Sequence, residues 1–119
     1  MTNEEFSEVF KARTKTWAVK SVHFAMGIPE TAASRVMRYQ LIKSATSTAA
    51  NYRAACRARS PAEFHARLSI TIEEADETMF WFEFLEESEM DKSPALYELK
   101  QESLEIVSIL SKARKNTQK

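Results

Sequence analysis

Five residues of this chain could do chemistry together if they lie along one helix: Arg35, Tyr39, Lys43, Arg53 and Arg57. At 100° per residue the four cations share a face with the tyrosine ring. Cations spaced in this way can neutralise phosphates while an aromatic ring stacks on a base, so the chemistry suggested is nucleic-acid binding. Arg59 and Arg67 would extend the row across the following turn. The competing reading is a solvated charged face with no ligand.

Other arrangements lead less far. A carboxylate-bridged di-metal site in a helical bundle uses Glu-x-x-His pairs, and no Glu or Asp here has a His three residues on. Glu73 and Glu77 lie one turn apart, but on a face where solvated carboxylates are expected, so no metal is assigned. Cys56 and His65 flank one turn, where a thiolate–imidazole pair is conceivable. No glycine-rich segment accompanies them to stabilise an oxyanion, and an inert Cys with a surface His is the expectation. Gly27 is the only glycine, which excludes a glycine-rich phosphate loop. The chain is therefore read as non-enzymatic, with no catalytic residue and no cofactor.

The elements that must position these residues are helical. One Gly and three Pro in 119 residues, without strand-like alternation, favour helix throughout and a single domain, residues 1–119. The lone Cys56 rules out an intrachain disulfide and fits a reducing compartment. No secretory leader is evident, and no apolar run reaches the ~20 residues a bilayer demands, so a cytoplasmic protein without membrane contact is expected. The formal net charge is zero, yet residues 1–60 carry ten Lys or Arg against four acids, and residues 61–119 carry seven against thirteen. Two readings follow: oppositely charged helices pack beside each other within or between subunits, or the basic half offers a surface to nucleic acid.

Four helices are predicted, at about residues 3–26, 31–57, 61–88 and 94–115. Thr2 and Glu5 have capping-box spacing, and Gly27-Ile28-Pro29 ends the first helix. The second helix carries a small-residue stripe of Met37, Leu41, Ala45, Thr48, Tyr52 and Cys56 beside a polar row of Gln40, Ser44, Ser47 and Asn51. That row is expected to make hydrogen bonds between helices. Ser60-Pro61-Ala62-Glu63 signals an N-cap, a first-position Pro and a capping box. The third helix should bury Phe64, Leu68, Ile72, Ala75, Met79 and Phe82, while Ile70, Trp81 and Phe84 project from roughly the other side. An apolar patch left in water is a liability, so these three are assigned to a homo-oligomer interface. Ser93-Pro94 opens the fourth helix, whose seam is Leu96, Leu99, Ser103, Ile106, Leu110 and Ala113. Short connections make the fold class all-α, an antiparallel up-down-up-down four-helix bundle.

The stretch from Leu41 to Ser88 resembles the signature of the 23S rRNA intervening-sequence proteins. That signature contains a Ser-Gly-Thr-Ser-x-x-Ala-Asn-x-x-Glu-Ala run, a Ser-Lys-x-x-Phe turn, then Leu-Ser-Ile-Ala and Glu-Ala-x-Glu-Thr-x-x-Trp-Leu. Here Ser44, Thr46, Ser47, Ala50, Asn51, Ala55, Ser60, Phe64, Leu68, Ser69, Ile70, Glu74, Ala75, Glu77, Thr78 and Trp81 match it, and Ala45 stands where the family tends to have Gly. The resemblance implies a bacterial four-helix bundle that assembles as a homo-oligomeric ring, commonly a pentamer, without known catalytic activity. Some members are similar to accessory proteins of diversity-generating retroelements, which implies RNA or DNA and a reverse transcriptase as partners. The function expected is a nucleic-acid-binding or nucleoprotein-scaffolding bundle acting through the second helix. The alternative is a protein–protein interaction module whose basic face pairs with the acidic third helix of a neighbour.

Overall fold

The computed structural model describes residues 1–117 as four helices: α1 (Asn3–Met26), α2 (Ala32–Cys56), α3 (Pro61–Glu87) and α4 (Pro94–Lys115). Each start is fixed by a side chain that satisfies backbone N–H groups the helix itself cannot pair. Thr2 and Glu5 form a reciprocal capping box on α1, and Thr31 and Ser34 form another on α2. Ser60 and Ser93 cap α3 and α4, each followed by Pro at the first helical position. At α3 the expected box is only half made. Glu63 Oε2 accepts from the Arg59 N–H at 3.2 Å rather than from Ser60.

The helix ends are as specific. Gly27 closes α1 with φ −84°, a right-handed conformation open to any residue, so its role as a permissive residue is not used. Among the described residues the one in the left-handed region is Glu89, φ 62°, after α3. Its N–H donates to the Glu86 carbonyl at 3.1 Å, and the Met90 N–H to that of Leu85 at 3.1 Å. Together these are the two bonds of a Schellman ending, with Glu where Gly is usual.

Helices adjacent in sequence pack side by side, α4 closes against α1, and α1 and α3 lie diagonally, meeting edge to face through the rings of Phe24 and Phe82, 5.9 Å apart centre to centre. The bundle measures 45 × 24 × 19 Å. Its core runs through Phe10, Trp17, Met37, Leu41, Tyr52, Leu68, Phe82, Leu85, Leu96, Ile106 and Leu110. Trp17 donates its indole N–H to Ser103 Oγ at 3.1 Å, joining α1 to α4. The Arg13 guanidinium grips Glu102 with two 2.7 Å bonds across the same pair of helices. Among the described residues no helix is long and apolar enough to cross a membrane.

Between α2 and α3 the packing departs from the predicted stripes. The wholly buried residues of α3 include Thr71, Thr78 and Leu85, while Phe64, Ile72 and Met79 are half-buried. Across from them α2 buries Ser44, Ala45, Thr48 and Ala55, leaving Cys56 half-buried. Small side chains on both helices let the two backbones approach. The threonine hydroxyls are accommodated because Thr71 donates to the Arg67 carbonyl (2.7 Å) and Thr78 lies 2.8 Å from that of Glu74 and 2.9 Å from Ser44 Oγ. Of the predicted polar row, Ser44 makes this link between helices. Asn51 bonds back to Ser47 within α2 instead.

A candidate polyanion-binding groove and an exposed aromatic face

Rotation of α1 against α2 places Lys11 and Lys15 beside Arg53 and Arg57. These four line a cleft of about 530 Å³ whose walls include Ala12, Ala49 and Ala50. Alanines keep the walls low, so a bulky ligand could reach the charged side chains. Arg53 and Arg57 also border a second cleft of about 480 Å³ with Arg59 and Arg67. Two carboxylates temper the charge: Glu8 holds Lys11 at 2.9 Å, and Glu63 lies 3.8 Å from Arg59. Lys15, Arg53, Arg57 and Arg67 form no ion pair among the described residues. Their charge is therefore available to a ligand.

The rest of the predicted row lies elsewhere. Arg35 sits about 27 Å from Arg53 along the axis, at 1.5 Å per residue. It lies 3.6 Å from Glu30, which also reaches Arg38 at 3.8 Å. Tyr39 is exposed between the two ends. Lys43 is close enough to α3 to oppose the upward shift of the Glu74 carboxyl, a shift caused first by burial and then by Glu77. Lys11 and Lys15 were missed by sequence reasoning, because a helical wheel treats each helix alone.

Cys56 and His65 do not meet as a nucleophile pair. The thiol is pushed above its ordinary range by burial, which outweighs the opposing hydrogen bond from Tyr52 and the charge of Lys11, so the thiolate is disfavoured. His65 Nδ1 instead pairs with the Thr117 hydroxyl. Among the described residues no group of three or more His, Cys, Asp or Glu is arranged to hold a metal ion.

On the outside of α3 the predicted patch is larger than Ile70, Trp81 and Phe84, although Trp81 is half-buried and packs against the core. Phe80 joins it at 49% exposure, with Ile70 at 41% and Phe84 at 42%. Phe80 lies 4.9 Å from Trp81 and 6.1 Å from Phe84, ring centre to ring centre, and Trp81 lies 6.0 Å from Phe84. The signal for Phe80 was present: it stands nearly opposite Thr71 and Thr78 on the helix, and only the misplaced core stripe hid it.

Comparison with known proteins places this geometry. No curated protein matches the chain. A solved structure that does is the crystal structure of a protein of unknown function from the S23 ribosomal protein family, from Bacteroides thetaiotaomicron VPI-5482. It shares 31% identity with a TM-score of 0.83, over 92% of this chain and 97% of that one. The pattern defining the 23S rRNA-intervening sequence proteins matches residues 10–112. The chain therefore belongs to the 23S rRNA-intervening sequence protein family.

Proposed function

We propose that this protein is a non-enzymatic bundle that binds nucleic acid through the α1–α2 groove, in the reducing setting of the cytoplasm. The observation that carries the reading is the convergence of Lys11 and Lys15 on Arg53 and Arg57, with Arg67 nearby. Phosphate neutralisation releases condensed counterions, so such binding weakens steeply with salt. Titration of the protein against RNA and DNA at several salt concentrations tests it. The expected result is a linear fall of log affinity with log salt, with a slope shallower by roughly one per cation removed in Arg53→Ala and Arg57→Ala. No binding at low salt, or binding indifferent to salt, defeats the proposal.

A second reading, favoured by the exposed Ile70, Phe80 and Phe84 beside the half-buried Trp81, is self-association through α3. Contiguous exposed aromatic surface of this kind marks an interaction site. A ring, pentameric as the resemblance implied, would repeat the arginines Arg53, Arg57, Arg59 and Arg67 around its circumference and strengthen binding to a long polyanion by multivalency. Sedimentation across a concentration series measures this. A particle of one chain at every concentration removes it.

A further inference from the structure

We propose that the outer face of α3 docks on the outer face of α1 in a second copy of this chain. The proposal rests on the self-association reading above and names the surface that α3 meets. On α3, Ile70, Glu73, Glu77, Phe80, Phe84 and Glu87 recur at alternating spacings of three and four, the pattern of a helix-pairing seam. All six are exposed. Glu74, Asp76 and Glu83 occupy positions flanking the seam, with Trp81. Pairing of α3 with its own copy about a two-fold axis would set carboxylates against carboxylates, which like-charge repulsion opposes. The occupant must therefore bring cations together with apolar surface of modest size.

The outer face of α1 has both. Val9, Ala12, Thr16, Val19, His23 and Met26 follow the same spacing, and all are exposed, with Val9, Val19 and Met26 at 55%, 47% and 62%. Between residues 9 and 26 there are four bases, Lys11, Arg13, Lys15 and Lys20, and no acid. Lys15 and Lys20 stand at the flanking positions, where charges choose the partner of a helical seam, and neither forms an ion pair among the described residues. Arg13, the third flanking base, is already engaged by Glu102. Ala12 and Thr16 leave room for rings the size of Phe80 and Phe84. The outer row of α2 suits the rings less well, since Lys43, Arg53 and Arg57 interrupt it.

Because α1 and α3 lie diagonally within one copy, both halves of the contact are free at once. Such a head-to-tail contact either closes into a ring or continues as a filament.

Charge exchange tests the pairing. Sedimentation is measured for the unaltered 119-residue chain, for Lys15→Glu/Lys20→Glu, for Glu73→Lys/Asp76→Lys, and for an equal mixture of the two variants, with circular dichroism confirming the fold. All four positions are exposed. Each variant alone is expected to associate at least about tenfold more weakly, and the mixture to recover much of the loss, because opposite charges again face each other wherever the two variants alternate. A protein that never self-associates overturns the earlier reading and this one with it. Self-association that survives either reversal, or is not recovered on mixing, overturns only the α1–α3 pairing. Should a reversal unfold the bundle, Val9→Ser/Val19→Ser compared with Phe80→Ser/Phe84→Ser gives an independent readout. Both pairs are expected to weaken association, and an α1 pair without effect overturns the proposal.

Discussion

The two sides of α3 invert the usual expectation of inside and outside. Facing the core it presents Leu68, Thr71, Ala75, Thr78, Phe82 and Leu85, all wholly buried, two of them hydroxylic and one a methyl. Facing solvent it presents Ile70, Phe80 and Phe84 among carboxylates. Apolarity does not by itself select the buried side. Where α2 offers Ser44, Ala45 and Thr48, close approach of the backbones rewards small side chains, and hydroxyls that bond to the preceding turn enter at little cost. Phe80 and Phe84 are left on the far side, while Phe82 alone of the α3 rings is wholly buried.

Two phenylalanines only two residues apart, Phe80 and Phe82, should respond most differently to truncation. Phe82→Ala should cost about 3–5 kcal/mol by opening a cavity in the core, whereas Phe80→Ala should stay within about 0.5 kcal/mol at concentrations where the chain is a monomer. Urea denaturation measures both, and equal losses would mean the outer ring is packed within its own chain. Next comes the hydroxyl link: Thr78→Val should cost about 1–2 kcal/mol, with coupling to Ser44→Ala in a double-mutant cycle. Glu89→Gly, at the left-handed residue closing α3, should stabilise by about 0.5–1 kcal/mol, less the small loss of the exposed contact to Lys92 at 2.7 Å.

The smallest expected effect is pH-dependent. Burial and Glu77 hold the Glu74 carboxyl above its usual range, so its ionised form is disfavoured in the folded chain. That penalty is absent below the unfolded carboxylate range and grows as pH rises through the raised folded value. Glu74→Gln should therefore stabilise by a few tenths of a kcal/mol at neutral pH and have no effect in acid. A gain persisting in acid would assign it to packing instead.

Local chemistry made much of the fold legible. The helix starts at Thr2, Ser60 and Ser93, and the seam from Leu96 to Leu110, needed only neighbouring residues to be read. The phase of α3 did not: a hydropathy stripe ranks Ile72 and Met79 above Thr71 and Thr78, while burial here depends on how closely α2 approaches. The groove was half legible for the same reason. Arg53 and Arg57 belong to one helix, but joining them to Lys11 and Lys15 requires the relative rotation of two.

Its two indoles divide the spectroscopy of this molecule between them. Trp17, 1% exposed and hydrogen-bonded to Ser103, sits in an environment that exists only in the folded bundle. Trp81 lies at the surface among Phe80 and Phe84. Emission from a Trp81→Phe variant would follow unfolding alone. A Trp17→Phe variant would leave a fluorophore whose quenching by iodide reports whether another molecule covers α3.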